Sequence, residues 1–288
     1  MKKISACLFL MVLLLSGTSF QLPSEWTPLL DKNLSKWETY QSFYHKVGYN
    51  GKPPVDSNGV EIKPIGYNVN KNKVFSIVME DGQPVLKITG EIYGCIFTKQ
   101  DFANYHLKLK FRWGEKKWVP RLDELKDSGL LYHSQGKCGV EWFRTWMLSQ
   151  EFQVVENSTG DYWSQASSMA DAKALKDSSY KFNPNGHWTP LGGSTGNGGF
   201  CEAGTKMDKS IGQWNEIELI TYGDKSLHIV NGKVVMALKN SRYKDGDAIK
   251  PLTHGKLQLQ SEAAEVYYKD IIIKPIEEIP VEYAGYFR

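Results

Sequence analysis

Residues 127–134 read D-S-G-L-L-Y-H-S and residues 149–157 read S-Q-E-F-Q-V-V-E-N. Both runs alternate, which is the period of a β-strand with one face toward a core and one toward solvent. In the second, Phe152 and Val154 share the apolar face, and Glu151 and Gln153 share the other. In the first, Leu130 and Tyr132 point to one side and His133 to the opposite side. Two such strands laid side by side put His133, Glu151 and Gln153 on one polar surface. A base, an acid and an amide together are a candidate chemical site.

The rest of the chain has the same character. Short alternating runs are separated by turn signals: Val74–Glu80 and Val85–Thr89 flank Asp81-Gly82, and Ser226–Val230 and Lys233–Leu238 flank Asn231-Gly232. From Tyr105 to Trp113 the apolar residues Tyr105, Leu107, Leu109, Phe111 and Trp113 alternate with His106, Lys108, Lys110 and Arg112. No stretch alternates strand and helix as a parallel α/β fold requires, so the expected class is all-β, a two-sheet antiparallel sandwich. Residues 158–209, rich in Gly, Ser, Asn and Trp, read as a long loop insertion over one sheet face, with a short helix over Met169–Lys176. Residues 45–66 read as a second long surface loop.

Aromatic residues make up 12% of the 288 positions, with 9 Trp and 15 Tyr, which suits a β-rich core or a sugar-facing surface. The formal net charge is +3, and two of those charges, Lys2 and Lys3, lie at the extreme N-terminus. Nothing in this balance points to nucleic acid or an anionic membrane. Lys2 and Lys3, the apolar run Leu8–Leu15 and the small residues Ser16–Ser19 form a secretory signal over residues 1–19, with cleavage expected after Ser19. The mature chain, residues 20–288, is expected to be one exported domain, periplasmic or extracellular, without a membrane span. Its three cysteines, Cys95, Cys138 and Cys201, allow one disulfide and a free thiol, or three buried thiols.

Seven segments recur together and in order: D-S-G-L-L-Y-H (127–133), E-F-Q-V-V-E-N (151–157), G-D-Y-W (160–163), G-Q-W-N-E-I-E-L (212–219), H-I-V-N-G-K-V-V (228–235), G-K-L-Q-L-Q-S-E (255–262) and V-Y-Y-K-D-I-I-I-K-P-I (266–276). The set resembles the 3-keto-disaccharide hydrolase family of secreted bacterial proteins, over Trp26 to Ile276. The resemblance implies a concanavalin-A-like jelly roll whose outer sheet face holds a glycoside. It places Glu151 on the groove floor as the catalytic acid, base or metal ligand, with Gln153 orienting substrate hydroxyls; His133, where the family often has Arg, is a second catalytic candidate by strand alternation alone.

Glu141 and Arg144, between the two strands, are further substrate-binding candidates. Glu141 would be the second carboxylate that direct glycoside hydrolysis needs. Trp163 and Trp188 are candidate groove walls, since aromatic faces stack on sugar rings. A 3-keto group acidifies the C2 proton, so one base can start elimination at C1, and addition of water then gives net hydrolysis. A divalent cation is one way to hold the resulting enolate, but His133 and Glu151 alone are too few ligands to read a metal site from the sequence. The same fold also serves non-catalytic carbohydrate-binding modules, and that lectin-like reading is the alternative to an enzyme. A retaining glycosidase with a close carboxylate pair ranks below both.

Overall fold

A computed structural model describes residues 25–288, so the signal read at residues 1–19 lies outside the described residues. The chain forms two antiparallel sheets packed face to face in a jelly-roll sandwich. The smaller runs in the order Phe200–Cys201, Tyr162–Gln165, Leu148–Val155, Asp127–Gln135, Lys256–Ser261, Ile92–Thr98, Trp37–Tyr44, Gly66–Tyr67. The larger has Tyr105–Lys117 near its middle, between Asn215–Tyr222 and Ala264–Pro275.

Side-chain alternation builds the core. Tyr105, Leu107, Leu109, Phe111 and Trp113 project inward from one sheet and meet Leu130, Tyr132, Phe152, Val154, Leu257 and Leu259 from the other in one buried cluster. Fully burying such a side chain is worth about 1.5–3 kcal/mol, so this face, and not any single pairing, holds the register. The expected hairpins form where the turn residues permit. Asp81-Gly82 (φ 49° and 75°) and Asn231-Gly232 (φ 47° and 80°) both take the positive φ that a type I′ turn demands.

Residues 158–209 depart from the loop expected for them. They supply strands to both sheets: Tyr162–Gln165 and Phe200–Cys201 extend the smaller, and Ser168–Lys176, Tyr180–Phe182 and His187–Gly192 extend the larger. The segment expected to be helical is the Ser168–Lys176 strand, paired with both His187–Gly192 and Lys233–Asp245. Ala170, Ala172 and Ala174 favour helix locally, but all three are buried on one strand face, and pairing on both edges outweighs propensity.

A smaller apolar cluster covers part of the outer face of the smaller sheet. Tyr40, Cys95, Phe97 and Leu131 from the strands lie beneath Trp146 and Met147 of the connection that joins Asp127–Gln135 to Leu148–Val155. The uncovered part of that face holds the candidate site.

Candidate functional site

Beside this cluster lies a cleft of about 380 Å³, lined by Arg121, Asp127, Trp142, Trp146, Glu151, Gln153, Trp163, Gln165, Gln260 and Glu262 among others. Strand register explains the set. Gln153 lies across from Gly129, and Glu151 from Leu131, while Trp163 of the next strand lies across from Glu151. Asp127 is bridged to Glu262 on the other side. Because residues two apart share a face, Asp127 and Gly129, Glu151 and Gln153, Trp163 and Gln165, and Gln260 and Glu262 all present to one surface.

Gly129 makes the space. A Cβ there would collide with the side-chain carbonyl oxygen of Gln260 and with Oε1 of Glu151, so those two polar groups approach over a bare backbone. Glu151 is 2% exposed and accepts a hydrogen bond at Oε2 from Nε2 of Gln165. Gln260 is 1% exposed, and neither its amide nitrogen nor its oxygen has a partner among the described residues. A buried amide in that state is costly to the fold and available to a ligand.

Below Gly129, Nη2 of Arg121 lies 2.5 Å from Oδ2 of Asp127 and 2.9 Å from Oε1 of Glu262. Gln153 donates to Oδ1 of Asp127 at 2.6 Å. The cleft therefore gathers three buried carboxyl groups, two of them paired with one guanidinium. Burial pushes the Glu151 carboxyl well above the usual range. The nearby Glu262 charge adds to the rise, and the Gln165 hydrogen bond only partly opposes it. Burial likewise raises Asp127 and Glu262, with Arg121 pulling both back. Trp163, 40% exposed and 4.6 Å between ring centroids from Phe200, forms one wall, and Trp142, 61% exposed, stands at another.

Of the residues singled out from sequence, Glu151, Gln153 and Trp163 come together here. Four others do not. A β-bulge between Tyr132 and Gln135 puts His133 at φ 52° and resets the alternation, so its ring turns into the interior, edge-on to Tyr105 and Tyr132. There it is 1% exposed, and burial lowers its pKa to about 3, which keeps the ring neutral.

Glu141 points into its own connection, where its carboxylate accepts the backbone N–H groups of Phe143, Thr145 and Trp146. It shapes the segment carrying Trp142 and Trp146, and is no second carboxylate on the floor. Arg144 is exposed and donates from Nε to the carbonyl of Gly51 at 3.1 Å, fastening the 45–66 loop behind Trp142. Trp188 belongs to the other sheet, flanked by Lys239 at 4.2 Å and Lys173 at 5.4 Å.

Sequence reasoning passed over Asp127, Gln260, Glu262 and Arg121. The first three carried a signal: alternation through D-S-G-L-L puts Asp127 opposite Leu130 in facing, and alternation through L-Q-L-Q-S-E puts Gln260 and Glu262 opposite Leu259. Arg121 sits among irregular residues with no period to read. No group of three or more His, Cys, Asp or Glu side chains among the described residues is arranged to hold a metal ion.

Fold and cleft together define a glycosyl hydrolase-like or carbohydrate-binding jelly roll. The family model described as a 3-keto-α-glucoside-1,2-lyase-like domain matches residues 25–274, and the chain belongs to that family. Comparison with curated proteins finds no match. Among solved structures the chain is similar to a candidate glycosyl hydrolase from Parabacteroides distasonis, with 17% identity, 88% of this chain and 100% of that one covered, and a TM-score of 0.46. It is also similar to the carbohydrate-binding module CBM66 from Bacillus subtilis (8% identity, 69% and 91% covered, TM-score 0.41) and to a β-glucanase from Bacillus licheniformis (10%, 88% and 98%, TM-score 0.40).

Proposed function

We propose that this cleft cleaves 3-keto-glycosides, with Glu151 as the proton-transfer group. The observation that supports it is the pairing, across the bare backbone of Gly129, of a buried carboxyl group with an unpartnered amide, beneath an aromatic wall. Ionised Glu151 takes the proton from C2 of the 3-keto sugar. The C–H electron pair passes into the ring carbonyl as an enolate, and the Gln260 amide donates to the developing oxyanion. As the C3 carbonyl re-forms, the enolate pair moves into a C1–C2 double bond, the C1–O bond breaks, and the leaving oxygen departs with its electron pair and takes the proton held by Glu151. Water adding across the double bond returns the free 3-keto sugar and completes net hydrolysis.

Asp127 and Glu262, both engaged with Arg121, keep the floor acidic and hold Gln153 and the guanidinium in place. The raised Glu151 moves a carboxylate towards the pH at which it is an effective base. A single proton-transfer carboxylate suits a substrate already activated by oxidation. An unoxidised glycoside needs an acid and a second carboxylate flanking the scissile bond; the other carboxyl groups of the cleft, Asp127 and Glu262, are both paired with Arg121, and Glu141 is committed to backbone N–H groups.

The test is release of aglycone from a 3-keto-glucoside and from its unoxidised parent. Turnover is expected for the first and little or none for the second. Equal rates on both would remove the keto-dependent mechanism. Binding of both without turnover would favour a lectin-like module.

A further inference from the structure

Cys95 and Cys138 lie outside the cleft chemistry, and their Sγ atoms are 3.8 Å apart. Cys95 is fully buried on the Ile92–Thr98 strand, in the small outer cluster with Tyr40, Phe97 and Trp146. Cys138 is half-buried in the connection that carries Trp142 and Trp146, and packs against the same cluster. Its backbone N–H donates to the Tyr67 hydroxyl at 2.9 Å, which holds it against the sheet edge. A disulfide bond is about 2.05 Å long, so the sulfurs need to approach by less than about 2 Å. Side-chain rotation and a small shift of a connection with glycine at 136 and 139 supply that.

We propose that Cys95 and Cys138 are a disulfide-forming pair that, in an oxidising medium, ties the wall of the cleft to the sheet beneath it. The Cys138 thiolate, the more accessible of the two, attacks an external low-molecular-weight disulfide. That step forms a mixed disulfide and releases one external thiol. The Cys95 thiolate then attacks the Cys138 sulfur and releases the second external thiol. Two protein thiols lose two protons and two electrons, and one external disulfide is reduced to two thiols. Burial pushes the Cys95 thiol up, so the second step sets the pace. Cys201 packs in a different cluster with Tyr162 and Leu191 and serves as the internal control.

The experiment equilibrates the full chain in buffers of reduced and oxidised glutathione, both as folded protein and during refolding. Free thiols are then alkylated and the peptides mapped by mass spectrometry. A Cys95–Cys138 linked peptide, two hydrogen atoms lighter than the sum of its parts, is expected at oxidising ratios. It should be absent from Cys138→Ser and retained in Cys201→Ser. The linked form should melt on the order of 5–10 °C above the reduced form. Both thiols alkylated after folded and refolding incubations at the most oxidising ratio would overturn the pairing, as would a link through Cys201. A link that leaves the melting temperature unchanged would overturn the tethering.

Discussion

Glu151→Gln is expected to lower turnover of a 3-keto-glucoside by roughly 10²–10⁴-fold while leaving the fold intact, because the amide keeps the shape and removes the proton acceptor. The site predicts where the loss falls. Oε2 already accepts from Gln165, so a glutamine can keep its oxygen on that contact and present an NH₂ group towards Gln260 in place of the base. Substrate affinity should therefore change little compared with rate. The pH dependence carries the sign. Burial holds the Glu151 carboxyl well above the ordinary range, so its ionised, proton-accepting form is populated only at a higher pH than that of a free glutamate. The second-order rate should climb as pH rises through that value in the wild type, and the climb should vanish in the variant. A wild-type rate that falls with rising pH would reassign Glu151 as the acid.

Arg121→Met is expected to destabilise the folded protein by about 3–5 kcal/mol at neutral pH, the usual result of removing one partner from a buried ion pair. Asp127 and Glu262 would then share a buried floor with Glu151 and no cation lining the cleft. The loss should depend on pH in a defined direction. Both carboxyls already sit above their ordinary pKa in the fold, so the stability linked to them is present below about pH 4 and is lost as pH rises through the folded values. Without Arg121 the folded values rise further. The deficit between variant and wild type should be large at pH 7.5 and small at pH 4, measured by urea denaturation at each. An equal deficit at both would mean that Arg121 acts through packing and not through charge.

Alternation alone made the sandwich legible, because the chain repeats one apolar face in strand after strand. It also placed Glu151 and Gln153 together and contained, unused, the same message for Asp127, Gln260 and Glu262. It failed wherever the period is broken or imitated. One bulge was enough to turn His133 from the outer face to the interior. Alternating alanines imitated a helix at Ala170–Ala174, and with the neighbouring strands read as loop, Trp188 counts as a groove wall in the sequence although it lies on a strand of the other sheet. Arg121 became part of the cleft through pairing with Asp127 and with Glu262, which is 141 positions away. No local pattern encodes such a partner.

The chain passes from Tyr162–Gln165 in one sheet to Ser168–Lys176 in the other through only Ala166 and Ser167. Two residues give almost no slack, so neither strand can leave its sheet while the other stays seated. Local opening at this end of the sandwich should accordingly be a single cooperative event, with slow-exchanging amides on both strands released together. Gln165 stands at that crossing and is the residue that steadies Glu151. Opening at this end of the sandwich should therefore also release the Gln165 contact to Glu151, the group proposed to move the proton.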